Sequence, residues 1–225
     1  MMNILNTKTQ RTQRSFNFFS FWLFLALGTT TVIFNSCGNV LKNKSTNSST
    51  YDEGVIINGV KWATRNVDLP GTFAAKPEDA GMFYQWNRKK AWAATGKVTK
   101  WNNSNASGTT WKKSNDPSPA GWRVPTIEEI KKLLDENKVK REWTTMNGIN
   151  GYRFTDIAIG NTLFLPAVGY RSYNIGALNT VGMDGGYWSS TQYVSVSAYC
   201  LYFKNTAAWG GYARRLGFSI RAVAE

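Results

Sequence analysis

The sequence predicts an α+β fold, in which short helical segments pack on short, mostly antiparallel strands joined by long loops. Three observations carry this. Residues 126–134 have the spacing of a capped amphipathic helix, the last third of the chain breaks into strand-like runs, and clusters of Gly, Asn, Ser and Thr separate one run from the next.

The chain opens on a different texture. Lys8, Arg11 and Arg14 precede an uncharged apolar run over residues 16–34, the pattern of a secretory leader. FNSCGN follows, and Cys37 with Ser36 before it resembles a bacterial lipoprotein box, from which Phe34 and Asn35 depart. The resemblance implies cleavage before Cys37, acylation of its sulfur, and a membrane partner reached through that lipid. An uncleaved signal anchor is the alternative, because the apolar run is near the roughly 17–25 residues that span a bilayer. Residues 1–36 then form a lipoprotein signal peptide, residues 37–54 a polar flexible tether, and residues 55–225 one globular domain without an internal repeat.

Within the domain, VIINGVKW is a hairpin, with Asn58-Gly59 as the turn between two β-branched runs. GMFYQWNRKKAW fits either element: Met82, Tyr84 and Trp86 alternate as in a strand, while Phe83, Trp86 and Lys90 could line a helix. Residues 95–121 form a long ordered loop around Trp101 and Trp111. In GWRVPTIEEIKKLL, Thr126 and Glu129 have capping-box spacing, and Ile127, Ile130, Leu133 and Leu134 share one helical face. Trp122 is a wedge under the start of that helix, so the stretch reads as scaffold. LFLPAVGYR, GYWSSTQ, SAYCLYF and GFSIRAVAE are strand-like, and residues 171–186 make a long glycine-rich connection of the kind that often carries binding.

Charge and cysteine content narrow the function. The chain has 27 basic and 14 acidic side chains, a net charge of +13, and no histidine. The positive charges are scattered or paired rather than run together, which points to solubility and anionic surfaces such as acidic glycans or lipid headgroups, and away from nucleic acid. With Cys37 lipidated, Cys200 has no partner, and its alternating setting makes it a buried, inert thiol.

The order WATRNVD, GMFYQWNRKKAW, DPSPAGWRVPTIEEIKKLL, LFLPAVGYR, GYWSST and GFSIRAVAE resembles the Fibrobacter succinogenes major paralogous domain of exported Bacteroidota proteins. That domain is similar to the C-type-lectin-like superfamily, which includes the formylglycine-generating enzymes. The resemblance implies a C-type-lectin-like fold with two helices, paired N- and C-terminal strands, and a ligand site on a long loop. It also implies what is missing here. The calcium-holding triplets of sugar-binding C-type lectins do not occur, and only Asp184 is acidic in the long loop, so no metal or other cofactor is expected. The paired active-site cysteines of the formylglycine-generating enzymes are absent, and the acidic residues sit mostly at turn starts and on helix surfaces, so no enzyme activity is expected.

Tryptophans inside the motifs, namely Trp62, Trp86, Trp122 and Trp188, are expected in the core. KNTAAWGGYARR instead reads as a glycine-rich hairpin tip, so Trp209 and Tyr212, with Arg171, Tyr173, Asn174, Asn179 and Asp184 of the long connection, form the candidate ligand surface. The expectation is a lipoprotein of the cell envelope, anchored to the outer membrane on its periplasmic face or surface. It displays a non-enzymatic binding module for a glycan or cell-surface polysaccharide. The alternatives are a structural or adhesive subunit that binds an envelope protein, and a divergent enzyme related to the formylglycine-generating enzymes. GNVLKNK after Cys37 lacks the acidic residues associated with surface export and leans toward the periplasmic face.

Overall fold

The computed structural model describes residues 49–225. The expected leader, the expected lipidation site Cys37 and the expected tether up to residue 48 lie outside the described residues. Ser49 and Asp52 already belong to the fold: the Ser49 and Phe73 backbones exchange hydrogen bonds of 3.2 and 2.7 Å, and Asp52 is buried.

The first hairpin joins β1 (Val55–Ile57) to β2 (Val60–Trp62), with Val55 opposite Trp62. Its turn residues Asn58 and Gly59 have φ of 46° and 74°, the doubly left-handed turn that matches strand twist. The two-way segment resolves as a second hairpin, β3 (Phe83–Gln85) and β4 (Ala91–Trp92). All three β3 residues are buried, and Asn87 at φ 54° turns the chain where a helix would have to continue. A 3₁₀ turn (Lys113–Asn115) and β5 (Trp122–Arg123) lead to α1 (Ile127–Leu133).

The capping box at α1 is formed in both directions. Glu129 N donates to Thr126 Oγ1 at 3.3 Å, and Thr126 N donates to Glu129 Oε2 at 2.7 Å, an arrangement worth about 1 kcal/mol. Ile127, Ile130 and Leu133 are buried, as the helical spacing requires.

A long hairpin of β6 (Val139–Met146) and β7 (Ile149–Asp156) follows, continued by β8 (Thr162–Pro166). It turns at Asn147-Gly148, with φ of 49° and 82°. Then come β9 (Tyr170–Arg171), β10 (Leu178–Asn179), β11 (Gly185–Val194), β12 (Ser197–Phe203), β13 (Ala207–Ala213), β14 (Gly217–Phe218) and β15 (Val223–Ala224).

These strands form four antiparallel sheets, ordered β1-β2-β15-β5, β10-β9-β14-β3-β4, β11-β12-β13 and β6-β7-β8. The last strand therefore pairs with the second, at Val223 and Trp62. The expected α+β class with two helices is corrected here. The described residues are 41% strand and 6% helical with one α-helix, which makes the fold mostly β. The second helix has no place because Phe83 to Asn87 are buried in succession, on both faces of the segment, whereas a surface helix needs one polar face.

The main core lies between α1 and the sheets, where Ile130 and Leu133 meet Phe154, Leu165, Leu201 and Phe203. A second cluster gathers Trp86, Trp188, Tyr84, Phe218, Ile220 and Cys200. The two glycines that begin β11 hold the layers together. A Cβ on Gly185 would lie 2.2 Å from the Phe203 ring, and one on Gly186 would lie 2.5 Å from Phe218, so only a bare backbone fits between those rings.

Candidate functional site

The seven side chains expected on one ligand surface are divided by the fold. Arg171 is completely buried. Its guanidinium donates to the carbonyls of Ala93 (2.8 and 2.6 Å), Thr95 (3.0 Å), Gly96 (3.1 Å) and Gly176 (2.7 Å). It knots two distant loops together and cannot reach a ligand. Asn174 stays within its own turn, accepting from Ile175 N at 2.9 Å and Ser172 Oγ at 3.1 Å. Asn179 donates to the carbonyl of Ala177 at 2.8 Å.

Trp209 and Tyr212 are on a strand, not a hairpin tip; the turn is at residues 204–206 and both belong to β13. Three positions apart on a strand, they point to opposite faces. The Trp209 ring is 5.6 Å from Tyr199 and lies under the Lys131 ammonium at 5.3 Å. Tyr212 stacks on Tyr202, with ring centres 5.1 Å apart and an interplanar angle of 24°, and meets Phe218 at 5.6 Å.

On the Tyr212 side the structure does gather a site. A cleft of about 200 Å³ is lined by Tyr170, Ser172, Tyr173, Tyr202, Tyr212, Leu216 and Phe218. Tyr173 is half exposed at its rim, with the Arg215 guanidinium 5.2 Å from its ring. Asp184 supports the cleft from behind: nearly fully buried, it accepts from the Tyr202 hydroxyl at 2.5 Å. Its other oxygen, Oδ1, is buried without a hydrogen-bond partner among the described residues.

Burial first, and then the bond to Asp184, raise the Tyr202 phenol well above its ordinary value. Burial likewise raises Tyr212. Both rings therefore stay neutral and act as hydrogen-bonding hydroxyls rather than bases. Beyond the Tyr202–Tyr212 stack, a groove of about 370 Å³ continues past residues 204–206 to Ala208 and Trp209. Of the expected residues, Tyr173 and Tyr212 thus meet in one cleft, Asp184 serves it indirectly, and Trp209 borders only the adjoining groove.

Tyr170 and Tyr202 were missed at the level of sequence. The alternation in SAYCLYF puts Ala198, Cys200 and Tyr202 on one face, but it does not reveal that this face opens at Tyr202.

A second concavity, of about 450 Å³, was not foreseen. Its walls include Trp111, Trp122, Arg123, Val124, Asp116 and Glu225. The stretch read as scaffold is scaffold and also a cavity wall, and Trp122 is only half buried. Its charges are held in pairs. Arg123 grips Glu129 through two bonds of 2.9 and 2.6 Å. Asp116 accepts from Ser118 N at 2.8 Å and Val124 N at 2.9 Å, and Glu225 is 3.0 Å from Lys113. Asp116 and Glu129 thus clamp backbone and guanidinium, which leaves neither poised as a free acid or base.

Cys200 is fully buried, and burial pushes its thiol far up, so it is not a nucleophile. Among the described residues no group of three or more potential metal-ligating side chains occurs. Comparison with known proteins gives no match: no family model, no curated protein and no solved structure is similar to this chain.

Proposed function

We propose that this chain is a lipoprotein of the outer membrane, attached through Cys37, whose domain binds a glycan without altering it. The sequence motifs that resemble the Fibrobacter succinogenes major paralogous domain support the envelope setting. The tyrosine-lined cleft carries the binding reading. The half-exposed Tyr173 ring and the outer side of the Tyr202–Tyr212 stack offer flat apolar faces for a pyranose ring, the Tyr170 and Tyr212 hydroxyls can read sugar hydroxyls, and Leu216 and Phe218 add apolar lining. Its volume suits one sugar unit, and the adjoining groove gives room for a neighbouring unit in a chain.

The test is retention of the purified protein on glycan arrays and cell-wall columns at two salt concentrations, which separates stacking from charge. Tyr212→Ala and Tyr173→Ala should each weaken binding by about 1–2 kcal/mol, a tenfold effect or more. Ile159→Ala, an exposed change that lines neither the cleft nor the adjoining groove, should leave binding intact. Equal retention of all three variants and the parent would remove the cleft from consideration.

A protein-binding envelope subunit is the second reading, and a specific observation favours it. Trp143, Ile149, Val181 and Met183 are all 40% exposed or more, and a concavity of about 450 Å³ lies beside Trp143 and Met183. Apolar groups of this extent commonly mark protein contacts.

A further inference from the structure

We infer that β13 is a self-pairing edge, through which two copies of this chain join their three-stranded sheets into one of six strands. The observation is how differently this fold treats its sheet edges. β6 carries Lys140, Arg141 and Glu142, β8 ends in Pro166, and β1, β4, β5 and β10 are only two or three residues long. β11 is bridged along its length by Gly169, Ser219 and Thr110. Charge, proline, shortness and cover are the devices that keep strand edges from pairing with other chains.

Apart from the Arg141 guanidinium, which donates to the carbonyl of its first residue Ala207 at 2.8 Å, β13 has none of them. Its seven residues, AAWGGYA, contain no charge and no proline, and they pair with β12 in an unbroken register from Ser197–Ala213 to Phe203–Ala207. Among the described residues, Ala208 to Tyr212 make no backbone hydrogen bond outside that ladder. Ala208, Trp209 and Gly211 are exposed.

The sequence of the strand selects a second copy as its occupant. A two-fold axis perpendicular to the sheet must pair residues of the same face, and an axis through Gly210, the middle of β13, pairs all seven. Ala207 then lies opposite the second copy's position 213, Ala208 opposite 212, Trp209 opposite 211, and Gly210 opposite itself. Tyr212 thus faces the small Ala208, while Trp209 faces Gly211, over which the Tyr193 ring of the same sheet already lies, so the two strands pair with each Trp209 packed against that ring. A seven-residue edge buries less than the roughly 800 Å² per partner of a stable complex, so the association is reversible and depends on concentration.

The test uses the full chain purified in mild detergent, with its protein mass followed by light scattering over a concentration series. The mass should rise from that of one copy toward twice that value. Ala208→Lys, an exposed change that touches no core residue, should raise the dissociation constant at least tenfold while the thermal transition stays within a few degrees of the parent. Opposite residues in an antiparallel pair have Cα atoms about 4.5–5.5 Å apart, within reach of a disulfide. Gly210→Cys should therefore give a cross-linked dimer on mild oxidation that the parent, whose Cys200 is buried, does not give. Lys140→Cys, on the charged β6 edge, should not. A mass that stays monomeric throughout the series overturns the inference, and so does a dimer that survives Ala208→Lys and gives no Gly210→Cys cross-link. A monomer that still binds glycan would reject this edge and leave the cleft untouched.

Discussion

Asp52 and Glu129 show how single side chains set the acid limit of this fold. Asp52 is buried, which by itself would raise its pKa. The bonds it accepts from Thr64 N, Gly54 N, Arg65 and the Thr64 hydroxyl outweigh that and hold it below the ordinary carboxylate value. Burial is also the largest influence on Glu129, and Arg123 with the Thr126 backbone reverses it. Each group thus binds its proton more weakly folded than unfolded, so its stabilisation is complete above about pH 4 and is lost as pH falls through the depressed folded value. Asp68, raised by burial, works in the opposite sense and offsets part of the loss. Urea unfolding between pH 7 and pH 2 should show stability falling below pH 4. Asp52→Asn should cost about 3 kcal/mol at pH 7, because Arg65 loses its counter-charge, and should flatten the acid limb. A parallel pH profile for Asp52→Asn would show that Asp52 does not set it. Arg171 teaches the complementary lesson about legibility. In a glycine-rich loop an arginine reads as a ligand group, and nothing local to it announces the carbonyl cage built from residues 93–96, some 75 positions away.

At the scale of elements, what could be read from sequence was whatever local chemistry decides. Asn58-Gly59 and the Thr126–Glu129 box formed as their residue types require, since a doubly left-handed turn and a helix cap are settled within four residues. Asn147-Gly148 carried the same turn signal. Its flanks hid it, because β6 alternates poorly, with Lys140, Glu142 and Trp143 all exposed. The opposite faces on which Tyr212 and Trp209 emerge depend on a strand lying where a tip is expected, and that pairing is tertiary. The same distinction predicts two glycine effects. Gly148→Ala meets nothing within 4 Å and pays only for its left-handed backbone, about 1–2 kcal/mol. Gly185→Ala needs no unusual backbone but drives a methyl group into the Phe203 ring, and should cost about 3 kcal/mol or more by forcing the core apart. Denaturant midpoints of the two variants give the order directly, and a larger loss for Gly148→Ala would mean that the β11 layer is looser than its geometry implies.

On the scale of the whole molecule, the chain is closed by its own last strand. β15 lies between β2 and β5 in the sheet, with Val223 opposite both Trp62 and Arg123. Arg221, just before it, is buried and donates to the Asn66 side chain at 3.0 Å and to the Ala63 carbonyl at 3.3 Å. Removing residues 223–225 should therefore do more than trim an end. Val223 forfeits about 2 kcal/mol of burial, and ladder bonds on both sides go with it at about 1 kcal/mol each. Among the described residues β15 is the one strand beside β5, so its loss removes the support for Trp122 and Arg123 at the wall of the second concavity. A total loss of about 4 kcal/mol is a large part of the 5–15 kcal/mol that holds a typical domain together, and should lower the melting temperature by about 10 °C. Removing Glu225 alone gives up a half-exposed side chain, its pairing with Lys113 and one backbone bond to the Gly121 carbonyl, which should cost no more than about 1 kcal/mol. If the two truncated chains melt together, closure by β15 is not what holds the sheet. If the longer truncation alone loses its cooperative transition, folding of the domain waits on the pairing of its two ends, a contact of high sequence separation that also makes folding slow.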